Sequence, residues 1–559
     1  MLYSQHFEVP VRASGSVAMA HPPIFLALAL RFVSGNSVFE VKQVQSQSQE
    51  HQGHQDQAGH SNHSKGLVAL FSIPAVGHVS PLVALAEEFA RRGWDAVIVS
   101  TEHDFQSLGV RFASMPCGEL WQQSRTKLQN HMKEKNNDLN GTHRFWDSVQ
   151  FGLRSLLEDE FWDCCLEYGE KILLREKPDL MVVDASTFVG IDIAEKLNIS
   201  YIVNNPALID IHDSPECMPP ATYLPGVLSG QSILERSTTK RLTAVMSPLM
   251  QLAQTCYIYF YVHRPLNARR VKAGFPAREY SLCPKHKLIL VEQVLGVEYP
   301  RPIPPLMQFV GYLERKKPFE RLESWESDWL EAAELPVIYV SFGTVFSLQN
   351  RANVLLEGLS SETFRVLWSL KTLGEVNRSL PSNVRIAPWV SSQIQILGHR
   401  NVHAFISHCG DNSLYESIKM GTPLLCIPIG FDQLDCAMRA FDAGVARVLD
   451  KQSFTPEDIR REIAYILQEQ LRFQANLRRA QDLLKLAGGV TRAADLVEHV
   501  HAFGTQHLSG VRTQYIWQDY DWDVLFIQMS ILTLCCSVLK RFALFCGKSC
   551  GLWKKQKRD

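Results

Sequence analysis

The chain carries almost no net charge and no visible internal repeat. Its 559 residues include 57 Lys and Arg against 58 Asp and Glu, a formal net charge of −1 at pH 7. An overall basic field that would attract nucleic acid is therefore missing, and we expect no nucleic-acid partner. No repeat of about 20–50 residues points to a solenoid or propeller. The length nevertheless exceeds that of one ordinary domain of about 150 residues.

The sequence also lacks the cysteine and histidine spacing that is typical of metal sites. Its 13 cysteines are scattered and odd in number. Cys164 and Cys165 are adjacent, and four more lie in or beyond a terminal apolar run: Cys535, Cys536, Cys546 and Cys550. Because no disulfide framework emerges from this spacing, we expect buried free thiols. We predict neither a metal nor another cofactor.

The first 65 residues lack the pattern of a folded domain. Residues 23–30 (P-I-F-L-A-L-A-L) form a short apolar run, and residues 33–35 (V-S-G) are small enough for cleavage. Residues 1–41 are therefore interpreted as a signal or targeting segment. Cleavage stays open, because no positive charge lies close before the run. Residues 42–65 are rich in Gln, His and Ser, which predicts a disordered linker.

The C-terminal end indicates a membrane anchor. Residues 524–539 are apolar apart from Gln528 and a few hydroxyl side chains, and Lys540 and Arg541 follow. A helix of this length spans about 24 Å, short of a hydrocarbon core of about 30 Å, so the predicted transmembrane helix extends over residues 524–545. The alternative is a buried or interfacial helix.

The basic tail over residues 546–559 suggests the orientation and the compartment. Positive charge after an apolar span favours a cytosolic C-terminus. Lys555 and Lys557 lie fifth and third from the end and resemble a dilysine retrieval signal of the endoplasmic reticulum, a receptor-read address. We therefore expect a single-pass protein of that membrane with lumenal folded domains. A plain basic tail is the alternative.

Two series of buried strands and amphipathic helices predict an α/β protein. Residues 67–73 (L-V-A-L-F-S-I) are continuously apolar, as in a strand buried on both faces, and a helical pattern and another apolar run follow. This strand–helix–strand order indicates a parallel sheet. The Pro-dense residues 299–305 (Y-P-R-P-I-P-P) approach a domain boundary. A second series starts at residues 337–342 (V-I-Y-V-S-F).

A segment near the C-terminus concentrates groups that suit a nucleotide sugar. An apolar strand pattern over residues 402–407 precedes the turn H-C-G and a helix that begins near Asn412. Backbone N–H groups and the dipole at such a helix start form an anion site. Glu416 lies one turn further on the same face, where it can accept ribose hydroxyls. Asp432 and Gln433 follow the next strand and reach the same sheet edge.

A histidine and an aspartate supply candidate catalytic groups in the first series. His78 follows the first strand, and Asp184 ends the strand L-M-V-V-D, so both reach the carboxyl edge of one sheet. A histidine near neutral pKa is a natural general base, and a carboxylate behind it fixes its tautomer. The first strand is followed by P-A-V-G-H-V rather than G-x-G-x-x-G, so a Rossmann dehydrogenase is poorly supported.

Taken together, these segments resemble the UDP-glycosyltransferase superfamily, glycosyltransferase family 1. The resemblance covers roughly residues 66–559 and includes the motifs Y-P-R-P, V-S-F-G-T and G-H-V-S-P. It implies a GT-B fold, in which two Rossmann-like, doubly wound domains face each other across a cleft. Residues 66–310 would bind the acceptor, and residues 311–508 would bind the UDP-sugar.

The resemblance also assigns roles to individual residues. His78 would be the catalytic base and Asp184 its orienting acid. Uracil would be bound by Trp389 and Gln393, and Asp432 and Gln433 would bind the sugar. The rest of the donor site would consist of Gly343, Thr344, His408, Gly410, Asn412 and Ser413 around the pyrophosphate, with Glu416 on the ribose.

Two departures from the family pattern affect these assignments. Trp389 and Gln393 are separated by three residues, whereas the family has W-x-x-Q. Either the loop bulges or Val390 takes the usual place of the tryptophan. Asp411 stands where many members have an uncharged residue, and its carboxylate would repel a pyrophosphate unless it points away.

The expected reaction is inverting transfer of a hexose, glucose or glucuronate, from UDP to a hydroxyl of a lipophilic small molecule. The UDP-sugar is then a co-substrate rather than a cofactor, and no metal is needed. Alternatives are a membrane-anchored glycosyltransferase that forms glycolipids and a non-catalytic UDP-sugar-binding protein. The acceptor, the donor sugar and the oligomeric state stay open.

Overall fold

A computed structural model gives the positions of most residues between 64 and 508. The described residues belong to one compact unit, His63–Asp559. They are residues 64–101, 110–135, 159–206, 233–234, 260, 264–276, 287–301, 303–315, 321–343, 348, 351–371, 376, 378–430, 432–508, 529–531, 533–534, 537–538 and 540. The predicted segment 1–41, nearly all of the linker, Thr344 and the tail 546–559 lie outside them.

The first half of the chain forms a seven-stranded parallel sheet in the order β3-β2-β1-β4-β5-β6-β7. Its strands are β1 (Leu67–Phe71), β2 (Asp95–Thr101), β3 (Phe112–Met115), β4 (Leu180–Asp184), β5 (Ser200–Asn205), β6 (Ile289–Val291) and β7 (Met307–Phe309). The helices are α1 (Val76–Arg91), α2 (Gly118–Lys135), α3 (Asp159–Glu176), α4 (Phe188–Lys196) and α5 (Arg264–Lys272).

The second half forms a six-stranded parallel sheet in the order β10-β9-β8-β11-β12-β13. Its strands are β8 (Val337–Ser341), β9 (Arg365–Ser369), β10 (Val384–Ala387), β11 (Val402–Ser407), β12 (Leu424–Cys426) and β13 (Ala446–Val448). The helices are α6 (Ser324–Glu331), α7 (Ala352–Leu359), α8 (Gln393–Leu397), α9 (Asp411–Met420), α10 (Gln433–Asp442), α11 (Pro456–Gln468), α12 (Gln470–Ala487) and α13 (Gly489–Phe503), before a 3₁₀ turn, Gln506–Leu508.

Continuous apolar sequence explains why the central strands are buried on both faces. Every residue of β4 and β8 is buried, as are four of the five residues of β1. Parallel strands covered by helices on both sides require this pattern. The α/β class with parallel sheets, predicted from the strand–helix alternation, is therefore confirmed.

Each sheet reverses its strand order at one point. In the first sheet the reversal lies between β1 and β4, and in the second between β8 and β11. Ligands of doubly wound sheets bind beyond the carboxyl ends of the strands at such a switch point, because the flanking loops diverge there. His78 follows β1 and Asp184 is the last residue of β4, while Gly343 and His408 follow β8 and β11.

Helix α13, the last long helix within residues 64–508, returns to the first sheet. Val490 and Val497 are buried in the same apolar cluster as Leu82 of α1. Arg92 and the Trp94 indole N–H both bond to Glu498, at 2.7 and 2.8 Å. This contact ties the C-terminal end of the folded part to the first sheet.

The expectation of free thiols was wrong for four cysteines. Disulfides join Cys117 to Cys164 and Cys409 to Cys426, across 47 and 17 residues of sequence. The spacing of these cysteines in the sequence does not predict either disulfide, because the partners are brought together by the fold of the chain. Cys165 and Cys436 are free and buried, as predicted.

In the part of the chain that the structure describes, no helix has the length and apolar character needed to cross a membrane. The predicted span over residues 524–545 falls largely outside that part.

Candidate active site

A hydrogen-bonded histidine and aspartate occupy the switch point of the first sheet. His78 lies in the first turn of α1, and its Nδ1 is 2.7 Å from Oδ1 of Asp184 at the end of β4. The Asp184 side chain is fully buried, whereas that of His78 is 26% exposed. The Nδ1 contact leaves Nε2 as the ring nitrogen that can take a proton from another molecule.

Asp184 is fixed by contacts that the sequence did not indicate. Its second oxygen, Oδ2, accepts hydrogen bonds from the Ser186 backbone N–H at 3.1 Å and from the Thr187 hydroxyl at 2.8 Å. Thr187 Oγ1 in turn accepts from the Ile73 N–H at 2.9 Å. Both carboxylate oxygens are thus engaged, which holds the acid in one orientation toward His78.

The charge of Asp184 controls the protonation of His78. Burial disfavours the imidazolium, but the charge of Asp184 and its hydrogen bond outweigh this effect and raise the pKa of His78 above 6.5. The group is therefore a stronger base than free imidazole, and it holds a proton until the pH exceeds that raised value.

A second buried carboxyl lies near the dyad and was missed by sequence reasoning. Glu292, just after β6, is 1% exposed and accepts a hydrogen bond from Asn204 Nδ2 at 2.6 Å. Burial raises the pKa of Glu292 to about 8, the Asn204 bond opposes this shift, and the charge of Asp184 adds to it. Glu292 is therefore mostly protonated at neutral pH. Its one visible signal in the sequence is that polar residues stand where two apolar strands end, Asn204 and Asn205 in β5 and Glu292 directly after β6.

The switch point of the second sheet is built around His408. A Cβ added to Gly343 would lie 2.9 Å from His408 Cε1, and one added to Gly410 would lie 2.8 Å from His408 Nε2. The imidazole therefore fills the space that side chains at these two glycines would need. Burial lowers the pKa of His408 to about 4, so the free protein presents a neutral ring. The structure thus brings together three residues that were predicted to bind the sugar donor: Gly343, His408 and Gly410.

Helix α9 begins at this point and carries two more predicted donor-site residues in its first turn. Gly410 is its N-cap, and Asn412 and Ser413 lie in its first turn. A Cβ added to Gly77, next to His78, would be 3.5 Å from Asn412 Nδ2. The start of α9 therefore adjoins the first turn of α1, which carries the candidate base, so the carboxyl edges of the two sheets meet here.

Glu416 and Gln393 form a direct pair. Gln393 Nε2 donates to Glu416 Oε2 at 2.7 Å, and the Tyr312 hydroxyl donates to Glu416 Oε1 at 3.4 Å. The Tyr339 hydroxyl donates to Gln393 Oε1 at 3.3 Å. Sequence reasoning placed Gln393 and Glu416 in one site but gave no signal for Tyr312, which belongs to the segment after β7.

Asp432 and Gln433 lie at the start of α10. Asp432 is the N-cap, and Gln433 Oε1 accepts from the Ile429 and Gly430 N–H groups at 2.9 and 3.2 Å. Burial raises the pKa of Asp432, while the charge of His78 opposes that shift. Asp432 is thus within electrostatic reach of the candidate base in the other half of the protein.

The charged form of Asp411 is disfavoured by its surroundings. Burial, then the charges of Asp432 and Glu292, raise the pKa of Asp411 well above its ordinary value. Its Oδ1 accepts a contact from the Cys436 thiol at 3.9 Å. One of its oxygens therefore points to α10.

Trp389 and Val390 have opposite environments. Trp389 is 62% exposed, and Lys371 Nζ lies 5.5 Å from its ring centroid. Val390 is 7% exposed and packs in the core of the second sheet. The indole is thus available to a ligand, whereas Val390 is part of the hydrophobic core. The role of Trp389 toward uracil stays a prediction.

No group of three or more metal-ligating side chains was found among the described residues.

Solved glycosyltransferases share this fold. The kitacinnamycin glycosyltransferase superposes with a TM-score of 0.56 at 18% identity, covering 78% of this chain and 98% of its own. UDP-glucose: anthocyanidin 3-O-glucosyltransferase, solved in complex with UDP, gives 0.52 at 19% identity, covering 78% and 99%. The two parallel sheets therefore form the two Rossmann-like domains of the GT-B fold, as the sequence resemblance predicted.

Comparison of the amino-acid sequence with known families identifies the family to which the chain belongs. The family model described as "UDP-glucoronosyl and UDP-glucosyl transferase" matches residues 82–558, so the chain belongs to that family. UDP-glucuronosyltransferase 2B13 of Oryctolagus cuniculus is 25% identical over 452 residues, covering 74% of this chain and 80% of its own. UDP-glucuronosyltransferase 2A3 of Homo sapiens is 26% identical over 400 residues, covering 70% and 74%. The protein is thus a UDP-glycosyltransferase, a transferase of the EC 2.4.1 type, and the predicted family is confirmed.

Proposed function

We propose that the protein transfers a hexose from UDP to a hydroxyl group of a lipophilic small molecule, with inversion at the sugar C1. One observation carries this proposal. The His78–Asp184 pair lies beside the start of α9, since Gly77 adjoins Asn412 across the meeting edges of the two sheets. A base that lies next to an anion site suits attack on a sugar carbon that is bonded to a phosphate oxygen.

The proposed step breaks one bond and forms another without a covalent intermediate. The acceptor oxygen attacks C1 of the sugar, and the bond between C1 and the β-phosphate oxygen breaks. His78 Nε2 takes the acceptor proton, and Asp184 stabilises the resulting imidazolium. The UDP leaves with both electrons of the broken bond. N–H groups at the start of α9, with Asn412, Ser413 and His408, stabilise its charge.

The donor would lie along the carboxyl edge of the second sheet. Glu416, held by Gln393 and Tyr312, would accept the ribose hydroxyls. Asp432 and Gln433 would bind the hydroxyls of the hexose, glucose or glucuronate, and Thr344 would join Gly343 at the pyrophosphate. Trp389 would stack on uracil from its exposed position.

We also propose that residues 524–545 anchor the protein in the endoplasmic reticulum membrane, with the GT-B domains in the lumen. Trp517, Tyr520 and Trp522 precede this run and the basic tail follows it, which supports a span with a cytosolic C-terminus. Two disulfides within the folded part support an oxidising compartment.

The test is release of UDP by the purified full chain. UDP-glucose and UDP-glucuronate would each be incubated with a panel of phenols, sterols and lipid alcohols, and the glycosides identified by mass spectrometry. We expect UDP release that depends on the acceptor. If the protein binds UDP but turns over with no member of the panel, the enzymatic proposal fails and a binding protein remains.

We expect the enzyme to lose activity in acid at a pH above the ordinary pKa of histidine. The base works only when His78 is unprotonated, and its pKa lies above 6.5, so kcat/KM for the acceptor should fall as the pH drops through that raised value. Asp184→Asn removes the main charge that raises the pKa, so its acid limb should move to lower pH. A profile measured between about pH 5 and 9 checks both. An unshifted limb in Asp184→Asn would contradict His78 as the titrating group.

Replacement of Glu416 by alanine should raise the donor KM about tenfold while kcat at saturating donor changes little, since a ribose contact serves binding rather than chemistry. Steady-state kinetics with varied UDP-sugar provide the measurement. Tyr312→Phe is the matched control, because it removes a 3.4 Å hydrogen bond to the same carboxylate and should have a smaller effect. An unchanged donor KM in Glu416→Ala would contradict the ribose assignment.

A further inference from the structure

The disulfide Cys409–Cys426 lies inside the predicted pyrophosphate site. Cys409 stands between His408 and Gly410, and Cys426 is the last residue of β12. Their Cα atoms are 5.4 Å apart, and neither side chain is exposed to solvent. In the parallel register of β11 and β12, Ser407 is opposite Cys426, so the bond joins the loop after one strand to the end of its neighbour.

This bond encloses the helix that carries the anion site. Cys409 and Cys426 are 17 positions apart in the sequence, and the residues between them include all of α9, from Asp411 to Met420. The start of α9 is thus covalently attached to β12, and the N–H groups of its first turn are held at one position relative to the sheet.

The backbone at Cys409 shows why such attachment matters. Its φ is +58°, a left-handed conformation that non-glycine residues adopt at a cost. One hydrogen bond, from the Cys409 N–H to Ser407 Oγ at 3.1 Å, supports this turn. His408 precedes the turn and Gly410 follows it, so the direction of the imidazole and the start of α9 both depend on this conformation.

We propose that Cys409 and Cys426 are positioning residues of the donor site, and that their disulfide makes UDP-sugar binding sensitive to thiol reductants. This inference rests on the proposed donor function of the same loop. When the bond is intact, the loop is preorganised for the pyrophosphate; when it is reduced, the loop relaxes and binding must restore its conformation.

The redox step balances with a thiol reductant. Two electrons and two protons from a dithiol convert the disulfide to two cysteine thiols, and the dithiol becomes a cyclic disulfide. Because both sulfur atoms are buried, attack requires the loop to open, and bound UDP should slow the reduction. The Cys117–Cys164 pair is a natural comparison, since Cys164 on α3 is partly exposed.

The experiment uses the purified full chain before and after treatment with dithiothreitol. Alkylation and peptide mapping would count the thiols at each of the four positions, and calorimetry would measure the Kd for UDP. We expect both pairs to be oxidised in the untreated protein. Reduction of Cys409–Cys426 should weaken UDP binding about tenfold, and prior addition of UDP should protect this pair but not Cys117–Cys164.

Three variants distinguish the effect of losing the disulfide from an effect of backbone strain at Cys409. Cys409→Gly removes the bond but fits a positive φ without strain, so weaker UDP binding in this variant reports the lost crosslink alone. Cys426→Ser should give the same loss of UDP affinity, while the acceptor KM stays within about twofold of wild type. Cys117→Ser, at the other disulfide, should leave the Kd for UDP unchanged.

Three results would overturn the proposal. They are alkylation of Cys409 and Cys426 in the untreated protein, wild-type UDP affinity after verified reduction, and wild-type UDP affinity in Cys409→Gly. If a variant fails to fold by circular dichroism, the reduced wild-type protein still decides the question. Failure of the oxidised wild type to bind UDP would overturn the donor site itself, whereas binding that ignores reduction overturns only the role of the crosslink.

Discussion

Replacement of His78 by alanine is expected to lower kcat about a thousandfold, while the Kd for UDP stays within about twofold of wild type. The imidazole bonds to Asp184 in the first sheet, whereas the groups expected to hold UDP lie on the second sheet. Removing the base should therefore affect proton transfer and leave nucleotide binding intact. Single-turnover rates and calorimetry with UDP would measure the two quantities on one preparation.

Two further variants show whether that loss is specific to the base. His78→Gln keeps a polar side chain of similar size but cannot act as a base at neutral pH, so it should be as inactive as alanine. His408→Ala should show the opposite pattern, with weak UDP binding as its main defect. Loss of UDP affinity in His78→Ala, or substantial activity in His78→Gln, would remove His78 from the role of general base.

The positions of His78 and Asp184 could be predicted because strand ends are visible in the sequence. Continuous apolar runs mark β1 and β4, and parallel strands bring their carboxyl ends to one edge. The sequence does not show that β1 and β4 are adjacent, yet that adjacency makes the 2.7 Å contact possible. The resemblance to a known family provided this missing relation.

Glu292, Tyr312 and the two disulfides could not be predicted in the same way. Glu292 meets Asn204 because β6 pairs with β5, across a separation of 88 residues. Tyr312 reaches Glu416 because the segment after β7 passes beside α9. Such contacts depend on which strands are neighbours and where a connecting segment runs, and neither leaves a local pattern of hydrophobicity or spacing.

Alanine at Gly343 should weaken UDP binding about a hundredfold. The φ of Gly343 is +70°, and an added Cβ would lie 2.9 Å from His408 Cε1. The substitution thus imposes a left-handed conformation on a residue with a side chain, at a cost of about 1–2 kcal/mol, and it also displaces the imidazole. A misplaced hydrogen-bond donor loses much of its contribution to binding of a charged group.

Substitutions at two other glycines distinguish the effect of backbone strain from the effect of displacing the His408 side chain. Gly93 has φ +86° and open space around its missing Cβ, so Gly93→Ala introduces backbone strain alone. Gly410 has φ −65°, which any residue adopts, but its Cβ would lie 2.8 Å from His408 Nε2, so Gly410→Ala introduces displacement alone.

The Kd for UDP should therefore rise in Gly343→Ala and Gly410→Ala but not in Gly93→Ala, whereas the melting temperature should fall in Gly93→Ala and Gly343→Ala. Calorimetry and thermal unfolding of the three proteins provide the measurements. If Gly343→Ala lost stability to the same extent as Gly93→Ala but bound UDP like wild type, the position of His408 would not matter for the nucleotide. The pyrophosphate would then have to be held by the start of α9 alone, since N–H groups and the helix dipole there do not depend on the imidazole.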